Sequence, residues 1–242
     1  MKDLKDKYTF EELVEIIRVL RAPGGCPWDA EQTHKSIRNA FIEETYEAVD
    51  AIDRGNDTDL CEELGDVLLQ ILLHSQIAAE ENSFNIDDVA DTLARKMILR
   101  HPHVFGNVKV EDTQQVLDNW DAIKKQEKNQ VTAAQTLYSV PMSFPALMRA
   151  QKVQKRAVKA GAVPPDVSKS IDNCIALLEK IKNGGDIGQA LGKLLFLAAG
   201  VFMTENTDAE QTLNAETDRF IQKFESLEKD GQDFKNCLTA EV

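Results

Sequence analysis

Basic residues are scarce in this chain relative to acidic ones. Its 242 residues include 28 Lys and Arg against 41 Asp and Glu, which gives a formal net charge of -13. Phosphate backbones and anionic lipid surfaces attract basic patches, so this deficit disfavours a general nucleic-acid-binding or membrane-surface protein. A phosphorylated small molecule remains open as a ligand, because divalent cations can bridge acidic side chains and phosphates.

Cysteine and long apolar runs are also in short supply. The four cysteines are scattered and form no CxxC motif, so we expect reduced thiols of a cytoplasmic protein rather than disulfides or zinc ligands; they are Cys26, Cys61, Cys174 and Cys237. No uninterrupted apolar run approaches the roughly 20 residues needed to cross a bilayer. The charged start Met1-Lys2-Asp3 lacks the apolar segment of a signal peptide.

Strand-like alternation is absent as well, whereas helical periodicity runs through nearly the whole chain. We therefore predict an all-α protein built as a tandem repeat of helical bundles. Thr9 with Glu12, Asn85 with Asp88, and Thr207 with Glu210 have the spacing of N-terminal capping boxes. The predicted helices after the first, which ends before Pro23, cover roughly 33–54, 57–82, 85–100, 112–128, 145–160, 168–183, 186–205 and 207–229. Ser143 is the predicted cap of the helix that opens with Pro145.

An internal similarity divides the chain. Leu64-Gly65-Asp66 matches Leu191-Gly192-Lys193 at a constant offset of 127 positions. We predict a first repeat at 1–130, a linker at 131–144 and a second repeat at 145–242. The second repeat has Ala190 and Lys193 where the first has Glu63 and Asp66, so we expect it to be structural.

Two acidic motifs dominate the first repeat. Glu43, Glu44 and Glu47 form an EExxE motif, and Glu63 with Asp66 forms an ExxD motif sixteen positions later. Each motif presents its acids from one side of a helix, and two such helices packed antiparallel would bring the carboxylates together. The simpler alternative is a pair of solvated acidic helix faces. The pairing of the two motifs on successive helices favours a divalent-metal site.

Such a site would suit phosphate chemistry. Mg²⁺, or Mn²⁺ in its place, prefers oxygen ligands and is commonly held by a few carboxylates together with substrate phosphates. Two ions about 4 Å apart could clamp both oxygens of an in-line phosphoryl displacement. Glu44, Glu47, Glu63 and Asp66 are the predicted ligands, and Glu43 could accept a proton from the attacking water. The GxxxxGK[ST] and GxGxxG phosphate loops are absent from the chain.

Several further motifs identify a family. The chain contains GCPWD at 25–29, RHPHVFG at 100–106, NWDAIK at 119–124 and PALMRA at 145–150. Together with EExxE and ExxD, these resemble the MazG nucleoside triphosphate pyrophosphohydrolases over most of the chain. The resemblance implies a Mg²⁺-dependent homodimer that hydrolyses nucleoside triphosphates to monophosphate and pyrophosphate. It places the four metal ligands at the acids already named.

The resemblance also implies substrate-binding residues. Lys96 and Arg100 match positions that hold the triphosphate, and their spacing of four on one helix face would by itself permit a phosphate clamp. Trp120 matches a position near the nucleotide. Surface packing is the alternative role for each of these three residues. His101 and His103 are expected to anchor a loop rather than to bind metal.

Two other functions fit parts of the pattern. A di-iron carboxylate oxidoreductase would also cluster glutamates, but it needs two ExxH motifs, and only Glu31 with His34 has that spacing. A non-enzymatic helical dimer could bind Mg²⁺ for stability alone. Release of pyrophosphate from nucleoside triphosphates separates the enzyme from this interaction protein.

Overall fold

The computed structural model describes residues 4–127 and 132–230. Every regular element within those ranges is a helix, which confirms the all-α prediction. The chain divides into two compact units, Met1–Ile123 and Lys124–Val242, and each is described by itself. Cys237 and the predicted helix end at Lys128 lie outside the described residues. The tandem-repeat relationship stays a prediction.

The first seven helices are α1 Phe10–Arg21, α2 Pro27–Glu31, α3 Arg38–Arg54, α4 Asp57–Glu80, α5 Ile86–Arg100, α6 Pro102–Phe105 and α7 Thr113–Glu127. The other five are α8 Ala133–Tyr138, α9 Ala146–Lys159, α10 Val167–Lys182, α11 Ile187–Thr204 and α12 Ala209–Lys229.

Local sequence signals account for several helix boundaries. Thr9 and Asn85 each accept a hydrogen bond from a backbone N–H three residues on, while Glu12 and Asp88 accept one from the cap, so both predicted capping boxes are confirmed. Gly55 ends α3 in the left-handed region at φ 66°, where a residue without Cβ is favoured. These signals work because each satisfies backbone groups that a helix end leaves without partners.

The helix pair α3 and α4 forms the centre of the first unit. Its core consists of five buried aliphatic side chains from α1, the start of α3 and α4: Ile17, Ile37, Leu72, Leu73 and Ile77. These side chains determine which face of α4 packs against α1. The opposite end of α4, near its N-terminus, is less buried and carries the acidic motif.

A buried arginine ties the GCPWD segment to this core. Arg21 is 8% exposed and pairs with Glu80 at the end of α4 at 2.8 Å. Its guanidinium also donates to the backbone carbonyls of Asp29 and, at 3.2 Å, Gln32. One side chain therefore holds α1, α2 and α4 together through charge-assisted hydrogen bonds.

Some boundaries differ from the sequence-based expectations. Helix α3 begins at Arg38 rather than near Thr33, because Thr33 and Ser36 bond to each other's backbone and form a turn. Short helices α2 and α6 lie in segments for which no helix is predicted, each with proline in its first turn. Helix α8 lies within the segment predicted as a linker, and its N-cap is Thr132.

Two predicted caps in the second unit are wrong. Pro145 itself is the N-cap of α9, without a side-chain hydrogen bond, so Ser143 does not cap this helix. Asp208, not Thr207, caps α12 by accepting from the backbone N–H of Gln211. A carboxylate is the better partner for a helix N-terminus, because it also opposes the positive end of the helix dipole.

The second unit contains helices α8 to α12, in which α8 packs against α9, and α11 packs against α9 and α10. Gln151 of α9 accepts from the N–H of Ala209 and donates to the carbonyl of Thr207, which joins α9 to the start of α12. Helix α11 is long and apolar enough to cross a membrane by length and composition alone, and 17% of its residues are buried. It therefore leaves an apolar surface uncovered.

Candidate metal centre

The two acidic motifs lie on helices that are held side by side. Gly55 and Asn56 form the short connection between α3 and α4, and the Asn56 side chain accepts from the N–H groups of Thr58 and Asp59. A connection this short makes the two packed helices antiparallel neighbours. The middle of α3, with Glu44 and Glu47, thus faces the N-terminal half of α4, with Glu63 and Asp66.

This packing brings three of the four predicted ligands together. Carboxylate oxygens of Glu44, Glu63 and Asp66 all lie within 4.8 Å of one another, and all three residues are half-buried. Within residues 4–127 and 132–230, no other group of three His, Cys, Asp or Glu meets this spacing. Glu47 is exposed and lies outside the group of three.

Glu47 nevertheless interacts electrostatically with the carboxylates of Glu44 and Glu63. Burial raises the pKa of Glu44, and the charges of Asp66, Glu47 and Glu43 raise it further. Burial likewise raises the pKa of Glu63, followed by the charges of Glu47 and Asp66. These carboxylates repel one another when ionised, so a bound cation would lower the free energy of the ionised cluster.

Gln70 is a member of the site that the sequence analysis did not select. It lies one turn after Asp66 on α4 and is 5% exposed, and its side-chain amide lowers the pKa of Glu44, against the effect of burial. Its Oε1 atom is buried and has no hydrogen-bond partner among the described residues. The only sequence signal for Gln70 is its i+4 spacing from Asp66, which places both on one face.

The predicted substrate-binding residues form a separate group on α5 and α7. Lys96 is exposed on α5, and α5 packs against α4. The guanidinium carbon of Arg100 lies 5.2 Å from the centre of the Trp120 ring, a cation–π arrangement. Arg100 and Trp120, which are twenty positions apart in sequence, are therefore brought into contact.

The two histidines of RHPHVFG belong to the same group. The Nδ1 atom of His101 lies 2.6 Å from the carbonyl oxygen of Met97, and its ring meets Trp120 edge-on with centres 5.0 Å apart. His103 is next to His101, with ring centres 5.6 Å apart. The contact of His101 with Trp120 joins the segment after α5 to α7. The loop-anchoring role of the two histidines stays a prediction.

A half-buried histidine pair lies where the segment before α3 meets α4. His34 precedes α3 and His74 is on α4, and their Nδ1 atoms are 2.8 Å apart. Sequence reasoning did not find this pair, because the partners are forty positions apart and meet only after α3 packs on α4.

An all-α unit with a carboxylate cluster across two adjacent helices is compatible with the class of hydrolases that act on phosphate esters or anhydrides. Comparison with known proteins identifies the family within that class. The profile of the MazG nucleotide pyrophosphohydrolase domain matches residues 32–105, which include α3, α4, α5 and the whole carboxylate cluster.

Full-length relatives extend the match. The nucleoside triphosphate pyrophosphohydrolase/pyrophosphatase MazG of Thermotoga maritima is 40% identical over 229 residues, covering 92% of this chain and 88% of that protein. The nucleoside triphosphate pyrophosphohydrolase of Escherichia coli K12 is 36% identical over 228 residues, covering 90% and 87%. The Mycobacterium tuberculosis protein of the same name is 44% identical over 163 residues, covering 64% and 48%. The chain belongs to the MazG family.

Proposed function

We propose that this protein hydrolyses nucleoside triphosphates to nucleoside monophosphate and pyrophosphate, with its active centre in the first unit. The relatives named for that activity support the reaction. The observation that carries the location is the convergence of the carboxylates of Glu44, Glu63 and Asp66 within 4.8 Å. The second unit has Ala190 and Lys193 at the matching positions and lacks such a cluster among its described residues.

The residues of the cluster fit Mg²⁺. Glu44, Glu47, Glu63 and Asp66 would hold the ion, and Gln70, with its buried Oε1, would hold the Glu44 carboxylate in place. Mg²⁺ accepts carboxylate and phosphate oxygens together, and when bound it would neutralise the charge of the polyphosphate. Mn²⁺ has similar ligand preferences and would serve as a substitute.

Glu43 is the proposed general base. It is exposed next to Glu44, and its charge contributes to the raised pKa of that residue. In the proposed reaction, Glu43 takes a proton from water as the water oxygen bonds to phosphorus. The phosphoanhydride bond between the α- and β-phosphates breaks, and its electrons leave with the departing phosphate group.

Lys96, Arg100 and Trp120 are the proposed substrate-binding residues. Lys96 and Arg100 lie one turn apart on α5 and would neutralise phosphate charge. The contact of Arg100 with Trp120 restrains the guanidinium, which reduces the conformational entropy lost on binding a phosphate.

The proposal is tested by pyrophosphate release with Mg²⁺ and a panel of nucleoside triphosphates. Asp66→Asn should reduce kcat by several orders of magnitude while the helical circular dichroism remains unchanged. Lys193→Asn, at the matching position of the second unit, should leave kcat unchanged. Turnover retained in Asp66→Asn would contradict the location of the active centre in the first unit. If the unaltered protein releases no pyrophosphate, the non-enzymatic interaction protein becomes the better explanation.

A homodimer is the proposed assembly. In the second unit, about half of the surface of Ile171, Ile175 and Leu178 is exposed along one side of α10, and Leu195 of α11 is 52% exposed. A second copy would bury this apolar surface. Insertion into a membrane is less compatible with Lys193 in the middle of α11. These features support a dimer, and we propose that it is cytoplasmic.

Light scattering coupled to size exclusion tests the assembly. Leu195→Glu should shift the protein toward monomer, whereas Leu213→Glu, a similarly exposed leucine on α12, should not. The dimer would be contradicted if the unaltered protein is monomeric in solution. It would also be contradicted if the unaltered protein binds to lipid vesicles and sediments with them.

A further inference from the structure

A cavity of about 440 Å³ lies along the α3–α4 pair, and Phe41 in its wall is one helical turn from Glu44 of the carboxylate cluster. Its volume falls in the range of small-molecule sites, about 300–1,000 Å³. The walls are mainly aromatic and apolar, with a few polar groups; they include His34, Arg38, Phe41, His74, Ser75 and Phe84.

The cavity and the cluster are successive parts of one surface. On α3, Phe41 precedes Glu44 by three residues, so both lie on the same side of the helix. On α4, Asp66, Gln70 and His74 follow one another at intervals of four. Asp66 and His74 are therefore separated by about 12 Å along the helix axis, at 1.5 Å per residue. This separation is comparable with that between the phosphates and the base of an extended nucleotide.

The histidine pair gives the cavity an unusual hydrogen-bonding character. The two rings are nearly parallel, at 9°, and their Nδ1 atoms are 2.8 Å apart. Burial lowers the pKa of His74, and the charge of His34 acts in the same direction, which favours a neutral His74 at neutral pH.

In a neutral pair, one Nδ1 donates and the other accepts. The ring that donates through Nδ1 is left with an acceptor at Nε2, and the other ring is left with an Nε2–H donor. If both rings exchange tautomers, the Nδ1 hydrogen bond is preserved, but the donor and acceptor at the two Nε2 atoms change places. The pair can thus present either polarity without losing its internal hydrogen bond.

We propose that this cavity holds the nucleobase and that the His34–His74 pair hydrogen-bonds to the polar edge of the base. This inference rests on the proposed function, because the phosphates of the same nucleotide would lie on the carboxylate cluster. Phe41 and Phe84 provide apolar wall for the ring. A keto group selects the tautomer that offers a donor, and an amino group in the same place selects the opposite tautomer.

Nitrogen NMR tests the tautomer exchange in the intact protein with Mg²⁺. The probes are the α,β-methylene analogues of adenosine and inosine triphosphate, which differ in an amino or keto group on the purine and resist cleavage between the α- and β-phosphates. The imidazole nitrogen shifts of His34 and His74 should move in opposite senses with the two analogues. Nitrogen shifts that stay unchanged, or that move alike with both analogues, would overturn the proposal.

Substitutions give a second measurement. His74→Phe keeps an aromatic ring but breaks the pair, so the ratio of kcat/KM for adenosine and inosine triphosphates should change by about threefold to tenfold, the value of one hydrogen bond. Phe84→Leu changes the wall without changing a hydrogen bond, so KM should rise for both substrates and the ratio should stay constant. A ratio unaffected by His74→Phe would contradict the role of the pair.

The two proposals fail in distinguishable ways. If the protein releases pyrophosphate but the nitrogen chemical shifts of His34 and His74 do not change on nucleotide binding, the proposed base site is wrong and the proposed hydrolase activity is supported. If the analogues move the histidine shifts in opposite senses but no triphosphate is hydrolysed, the base site stands and the hydrolase is wrong.

Discussion

At the scale of single residues, the carboxylate cluster opposes folding in the absence of a cation. The pKa of Glu63 is raised above 4.5 by burial and by Glu47 and Asp66. For an acid with a raised pKa in the folded state, stability is fully present below the unfolded value and is lost as pH rises through the folded value. The metal-free protein therefore carries a destabilising charge at neutral pH.

Glu63→Gln should accordingly raise the melting temperature of the metal-free protein at neutral pH. The difference from the unaltered protein should grow as pH rises from below 4.5, the ordinary value of the acid. Differential scanning calorimetry in chelator across a pH series measures this effect. Glu62→Gln removes a neighbouring charge from outside the group of three, so its effect should be smaller. A lower melting temperature for Glu63→Gln would contradict the account.

Mg²⁺ should reverse this order. Stabilisation by a ligand that binds only the folded state grows with its concentration over Kd. Added Mg²⁺ should therefore raise the melting temperature of the unaltered protein and of Glu62→Gln, and leave Glu63→Gln nearly unchanged. Equal gains in all three proteins would place the ion elsewhere.

At the scale of elements, Arg21 determines where the GCPWD segment lies. Arg21→Met should lower the free energy of unfolding by about 2–3 kcal/mol, because Glu80 and two carbonyls lose a charged partner. Arg18→Ala, which breaks only an exposed pair with Glu15, should cost less than about 0.5 kcal/mol. Urea unfolding measures both variants, and equal costs would show that Arg21 is not the anchor.

Two glycines of the first unit should respond oppositely to alanine. A Cβ at Gly25 would lie 2.8 Å from the Leu20 carbonyl carbon and closer still to the carbonyl oxygens of Val19 and Leu20. Gly25→Ala should lower the free energy of unfolding by about 1–3 kcal/mol. At Gly65, in the interior of α4, a Cβ would have open space within 4 Å. Gly65→Ala should add about 0.5–1 kcal/mol, and urea unfolding that fails to separate the two would contradict the packing.

Helix boundaries with strong local signals were predictable from the sequence. Boundaries at which side-chain hydrogen bonds compete with the backbone hydrogen bonds of the helix were not. The starts of α1 and α5 follow from capping boxes, and the end of α3 follows from Gly55. Helices α2 and α6 have five and four residues, too short for a periodic apolar pattern. The predicted start of α3 is too early, because side-chain hydrogen bonds of Thr33 and Ser36 replace the first helical turn.

The candidate site divides in the same way. The acids could be selected from sequence because each motif repeats at helical spacing and the motifs lie on successive helices. Their convergence across α3 and α4 needed the packing of the two helices. The histidine pair and the contact of Arg100 with Trp120 join distant segments, so no local pattern indicates either one.

At the scale of the whole molecule, the two units differ in what they contain. The first has the carboxylate cluster, the aromatic cavity and the residues matched by the family profile. The second has an uncovered apolar surface on α10 and α11. We infer a division in which the first unit performs the chemistry and the second supports assembly.

The most direct test of the central claim is the position of the metal. Crystals grown with Mn²⁺ in place of Mg²⁺ would give an anomalous signal at any bound ion. We predict a peak bounded by the carboxylates of Glu44, Glu63 and Asp66, and its loss in Asp66→Asn. An ion held elsewhere, or an empty cluster in crystals with saturating Mn²⁺ and a nucleotide analogue, would contradict the account.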